Sequence, residues 1–257
     1  MSYDITEAVD WRGKAVDCQV CPHQDLKERG LCRPGHACVN DLYARRIDRF
    51  FNWNPALADG YVKHDHFEVR ALAAKHATVF LLPPLLDDPD ETVRWNAARR
   101  LPKRLITKLR HDPHREVRIR VVTLLEDSDL VTMMDDSDYY VRLVICRRID
   151  CNLLVKMVHD EETEVRRVVA ARLPQQWLTR MIDDQEAVVR LEVARRLAPE
   201  ALHLMKNDPD WRVRYEVASR MDVAEIIGLS DDEDSLVREV VQARLADRSG
   251  RVTDISR

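Results

Sequence analysis

The sequence predicts an all-α solenoid of 24-residue repeats, each an α-helix plus a short 3-10 stub, preceded by a small four-cysteine module. Three observations carry that expectation. A Val-Arg pair recurs at a constant step of 24 residues, as Val69-Arg70, Val93-Arg94, Val117-Arg118, Val141-Arg142, Val165-Arg166, Val189-Arg190, Val213-Arg214 and Val237-Arg238. Five residues before the Val stands Asp88, Asp112, Asp136, Asp160, Asp184, Asp208 or Asp232, with His64 in the first copy, and eight residues after it stands an apolar residue, from Ala77 and Leu101 to Met221 and Leu245. Only 6 Gly and 33% charged residues suit a helical array better than a sheet protein. A fixed period of this length implies one supersecondary unit per repeat, none able to bury its apolar face alone, so the units stack.

Composition also bounds function. A net charge of −4 gives no global attraction for nucleic acid or an anionic membrane, while leaving room for a local basic stripe. No basic segment followed by an apolar run opens the chain, and no apolar run of about 18 residues occurs, so a cytoplasmic protein without membrane contact is expected. In a reducing compartment the 6 cysteines are better read as a metal site than as disulfides, since Cys18, Cys21, Cys32 and Cys38 fall in the first 38 residues.

In chain order, residues 1–39 form the cysteine module, 40–246 the repeats and 247–257 a polar tail expected to fray. Residues 1–17 lack periodicity and are expected to drape over the cysteine segment. That segment reads C-x2-C-x10-C-x5-C, in which a C-x2-C pair lets two thiolates from one tight turn bind one ion or one cluster edge. Pro22, Gly30, Pro34 and Gly35 supply turns that bring the second pair back. Spacing alone leaves a structural zinc site and a 4Fe-4S cluster equally open. His23 and His36 lie among the cysteines, but four thiolates complete either site. Residues 39–62 read as a degenerate first repeat: Arg46 matches the repeated Arg, Arg45 breaks the Val position, and Leu42, Ile47, Phe50, Phe51 and Leu57 supply apolar content. Asn40 falls at the Asp position as a candidate N-cap, which would set Cys38 beside the positive end of a helix.

Within a regular repeat Asp88 is expected as N-cap with Pro89 at the first helical position, repeated by Asp112-Pro113 and Asp208-Pro209. Glu91, Glu116 and Glu164 come next in the first turn, where the helix dipole favours them. The helix is expected to run to about Leu101, with Pro102 or Pro174 stopping it. The stub then carries apolar residues 13 and 16 positions after the Val: Leu82 and Leu85, Ile106 and Leu109, Leu130 and Met133, Leu154 and Met157, Leu178 and Met181, Leu202 and Met205, Ile226 and Leu229. Arg94 and its equivalents fall inside the apolar stripe and need a partner, which the repeated Asp of the same or the next repeat can supply. Another series, Arg100, Arg148, Arg172, Arg196, Arg220 and Arg244, lies at the stripe's edge and is expected to reach solvent. Trp95, Ile119, Leu143, Leu191 and Tyr215, two residues after the Val, make either an exposed partner-binding row or a seam against the next stub. Cys146 replaces a core Ala, and Cys151 is a bystander.

Taken together, the four-cysteine module and the D-x4-V-R-x6-L repeat resemble the leucine-rich repeat variant iron-sulfur proteins over nearly the whole chain, from about Cys18 to Leu245. The resemblance implies a right-handed superhelix of alternating α and 3-10 helices, a 4Fe-4S cluster on Cys18, Cys21, Cys32 and Cys38, and a link to nitrogen fixation. It raises the cluster above zinc and supplies no activity. The Asp and Val-Arg pairing is also similar to HEAT repeats, some of which belong to DNA-glycosylase solenoids. No nucleophile with a base, phosphate loop or dinucleotide fingerprint is present, so no catalysis is expected. The expected role is a protein-interaction scaffold whose cluster transfers electrons or senses redox state for a protein partner. The alternative is a nucleic-acid-binding repeat protein using the edge arginines, with the metal structural.

Overall fold

The computed structural model describes residues 8–254, with side chains through Asp247. Two compact units meet in sequence between Asp129 and Leu130. The first holds α1 (Gln24–Glu28), α2 (Ala44–Trp53), α3 (Phe67–Ala74), α4 (Glu91–Ala98), α5 (Lys103–Ile106) and α6 (Arg115–Val122), with 3-10 segments at Pro55–Tyr61, Val79–Leu81, Pro83–Asp87 and Thr107–His111. After α7 (Asp127–Leu130) at the boundary, the second unit holds α8 (Tyr139–Arg148), α9 (Thr163–Arg172), α10 (Ala187–Arg196), α11 (Trp211–Arg220) and α12 (Ser235–Asp254). Its 3-10 segments are Val131–Met133, Cys151–Met157, Gln175–Met181, Pro199–Met205 and Ile226–Leu229. The chain therefore has the all-α repeat fold read from its period.

Packing obeys the apolar pattern. The repeated Val and the paired stub residues are all buried, and inside each unit consecutive helices contact one another. Apolar spacing of three over seven residues favours the tighter turn, so the stubs from Cys151 onward are 3-10. Two earlier stubs begin with an α-turn, in α5 and α7. Cys146 is fully buried as a core filler, its Sγ 3.4 Å from Met157 Sδ, and burial pushes its thiol up to about 12.

The inward arginines pair with the succeeding repeat. Arg94 donates Nε to Asp112 Oδ2 and an Nη to Oδ1, both at 2.7 Å. The same fork joins Arg70 to Asp88, Arg142 to Asp160, Arg166 to Asp184, Arg190 to Asp208 and Arg214 to Asp232. The remaining Nη of each turns back to a backbone carbonyl of its own repeat, as Arg142 does to Asp136 at 2.7 Å. The side-chain partner of Arg142 is thus Asp160.

Three expectations about helix boundaries are corrected. Asp88 does not cap α4. Its Oδ1 accepts the backbone N–H of Asp90 at 2.9 Å, and Asp90 is the N-cap, accepting from Thr92 at 2.9 Å. Pro89 lies outside the helix, because Asp88 is used to close the turn and to hold Arg70. The same shift places the caps at Asp138 and Asp210. The helices also stop short of Leu101, ending at Ala98 in α4 and at Arg172, Arg196 and Arg220 in the second unit.

The edge arginines are half-buried clamps. Arg196 donates to the Ala170 and Leu173 carbonyls at 2.6 and 2.8 Å, and Arg244 to those of Ala218 and Met221, both at 2.7 Å. Arg100, Arg172 and Arg220 do the same. Each closes the C-terminal carbonyls of the preceding helix, which have no intrahelical partner. Arg148 is exposed. The polar tail is helical, since α12 continues through Asp254, and residues 255–257 lie outside the described residues.

Candidate metal centre

The cysteine module is built from two tight returns. Gly30, at φ 72, ends α1, and the backbone N–H groups of Leu31 and Cys32 both donate to the Leu26 carbonyl. Then Arg33 and Ala37 exchange backbone hydrogen bonds at 2.8 Å around Gly35, whose φ of 71 a side chain would resist. Cys32 and Cys38 flank that bridge by one residue each, so the turn brings their thiols together. Cys38 donates to Cys32, which lowers the Cys32 thiol and raises that of Cys38. Both are buried, whereas Cys18 and Cys21 are half-exposed and flank Val20, which is 81% exposed.

All four thiols are free; burial first, then Cys38 and Cys18, raise the Cys21 thiol, and Cys21 and Cys18 oppose ionisation of Cys32. N–H donors face the sulfurs. The Asn40 side chain donates to Cys21 Sγ at 3.6 Å, the Asn40 backbone to Cys38 and the His23 backbone to Cys21. Among the described residues no three His, Cys, Asp or Glu side chains converge as on one small ion. Four free thiols with amide donors suit an anionic iron-sulfur centre, whose sulfurs take such hydrogen bonds.

The surrounding residues correct and extend the sequence reading. Asn40 is not an N-cap, because α2 begins at Ala44 with Tyr43 at the cap position, and its amide serves the thiols instead. His23 is engaged with the Tyr61 hydroxyl and Phe50, and His36 with Arg49 and Trp53. Tyr61 escaped sequence notice: burial first, then Cys21, Cys38 and Cys32, push its hydroxyl up to about 12. Nothing in the cysteine spacing points to a residue so far along the chain, whereas an amide two residues after Cys38 is a visible donor.

The degenerate first repeat anchors the module. Ile47, Phe50 and Phe51 of α2 are fully buried, with Leu42 half-buried and Leu57 at the margin of the core. Since His64 stands where the next repeat would offer Asp, Arg46 turns to Asp41 of its own repeat, at 3.1 Å. The leading segment also packs here: the Leu42 N–H donates to the Val9 carbonyl, and Trp11 lies against His64 and His66.

A four-thiol module joined to stacked α/3-10 repeats defines a cysteine-capped helical-repeat protein. Residues 8–60 match the family model described as "LRV protein FeS4 cluster". A solved structure described as a leucine-rich repeat variant with a novel repetitive structural motif superposes with a TM-score of 0.82 at 40% identity, covering 89% of this chain and 98% of that one. The chain belongs to the leucine-rich repeat variant iron-sulfur family. A Rhodobacter capsulatus protein described as an uncharacterized 27.7 kDa protein in the nifB 3' region is 52% identical over 96 residues. That match spans 37% of this chain and 39% of the relative's length.

Proposed function

We propose that the protein is a non-enzymatic interaction scaffold that holds a 4Fe-4S cluster on Cys18, Cys21, Cys32 and Cys38 and exchanges electrons with, or reports redox state to, a protein partner. The observation that carries this is the match of residues 8–60 to the FeS4 description, in a module whose four cysteines are free, with Cys32 paired to Cys38 and an Asn40 amide on Cys21. Bound there, the cluster would supply one-electron chemistry. Cys32 and Cys38 form the buried side of the site, Cys18 and Cys21 the side nearer solvent, and Asn40 ties the two pairs together. The relative in the nifB region supports a setting in nitrogen fixation. No helix of the described residues is long and apolar enough to cross a membrane.

The nucleic-acid alternative loses support, since five of the edge arginines proposed to grip phosphates are committed to backbone carbonyls. The cluster is tested by colour and spectroscopy. Anaerobically purified protein should be brown, with broad charge-transfer absorption that fades on reduction. Cys32→Ser should remove the colour, whereas Cys146→Ala, a core substitution, should retain it. Colourless protein with stoichiometric zinc after iron-replete anaerobic expression would sink the redox reading.

A further inference from the structure

In α10, two helix positions neutralise each other. Glu192, three residues after Val189, lies 3.8 Å from Arg195, six after it. Helices α4 and α6 lack the acid of this pair. Three residues after Val93 stands Asn96 beside Arg99, and three after Val117 stands Arg120. Both guanidinium groups flank the Trp95 ring, at 5.9 and 5.5 Å from its centroid, and neither has a carboxylate partner among the described residues.

Beside Arg99 a cavity of about 350 Å3 opens, lined by Lys75, Asn96, Arg99 and Arg100. Every lining residue offers N–H donors. Asn96 is only 8% exposed, and one of its amide hydrogens goes to the Thr92 carbonyl, leaving the other uncommitted. Lys75 is shared with Asp48 at 2.8 Å, and Arg100 faces Asp59 electrostatically while one Nη serves the Ala74 and Ala77 carbonyls. The Arg99 guanidinium is therefore the uncommitted fork of the group.

The geometry points to a binding site here for a phosphate group, either free phosphate or a small phosphomonoester. Arg99 brings the uncompensated positive charge, Lys75 and Arg100 add donors whose charge Asp48 and Asp59 partly offset, and a guanidinium fork matches two phosphate oxygens. The cavity exceeds a bare phosphate and can admit part of the molecule that carries it. The site owes nothing to the cysteines.

Calorimetric titration of the anaerobically purified full-length protein with inorganic phosphate, and separately with adenosine monophosphate, tests it. Saturable one-to-one binding of either probe is expected, and the tighter of the two identifies the source. Arg99→Ala should weaken binding by about tenfold or more, while Arg195→Ala, at the equivalent position of the second unit, should stay within about twofold. Asp48→Asn, which releases Lys75, should tighten it. Absence of saturation at millimolar probe, or equal loss in both arginine variants, would overturn the site. So would a short DNA duplex that displaces phosphate with a steep salt dependence, since the surface would then read a polymer backbone.

Discussion

At the scale of single residues, the inward arginine is a shared charge. Arg190 is 8% exposed and has its fork on Asp208, so Arg190→Ala leaves a buried carboxylate uncompensated. That loss should be about 3 kcal/mol, against about 0.5 kcal/mol for Arg195→Ala on the exposed face, and urea midpoints will separate them. Asp208 also closes a turn by accepting the Asp210 N–H at 2.8 Å. Asp208→Asn, which can keep that acceptor, should therefore cost less than Asp208→Ala. Acid should act through the same pairs. The Arg214 fork holds Asp232 below the usual carboxylate range, so its contribution is complete above that range and is lost as the pH falls through the lowered value. Asp232→Asn should lower stability at neutral pH and flatten the acid limb; an unchanged acid limb would disprove the link. The need for a partner was legible in the sequence, because an Arg inside an apolar stripe demands one. Which repeat supplied it was not, since Asp136 and Asp160 lie six residues before and eighteen after Arg142 and linear spacing cannot say which folds onto it.

Among the elements, helix and stub were readable because periods of 3.6 and 3 leave different apolar marks. Helix beginnings were misread for a local reason. In Asp88-Pro89-Asp90-Glu91 either Asp can cap, and the proline favours the first only if no turn intervenes. The structure spends Asp88 on the turn and Asp90 on the cap, so Asp90→Ala should destabilise by about 1 kcal/mol. Helix ends held a surprise as well. A clamp from the next repeat cannot be seen in one helix's sequence, which is why Arg196 and its equivalents were assigned to solvent. Arg196→Ala should lower the urea midpoint well beyond Arg195→Ala, because the Ala170 and Leu173 carbonyls lose their donor. The row two residues after the Val belongs to neither extreme expected of it: Leu143 is buried, Tyr215 is 40% exposed, and Trp95, Ile119 and Leu191 lie between.

For the molecule as a whole, the cysteine module and the first regular repeats share one compact unit, while α8 to α12 belong to the other. Repeat arrays lose structure neighbour by neighbour. Chelating the iron should therefore strip amide-exchange protection from Asn40 to Val69 first and leave the region around Val213 protected. Uniform loss along the chain would show a single cooperative block. The candidate centre was legible to the extent of its thiols, since cysteine spacing is a local property. Tyr61 and the basic cavity were not, because both depend on which repeats come to lie side by side.

The fork from one repeat to the next has a bearing on how such a chain can change length. A period paired in this way gives away one positive charge and receives one, so excising or duplicating a complete period between matching positions, for example from Val165 to Val189, restores the same handshake across the new junction. An insertion of any other length leaves a guanidinium or a carboxylate stranded in the interior. The electrostatic pairing thus works as a proofreading rule on the gene, tolerating copying errors only in whole multiples of the repeat.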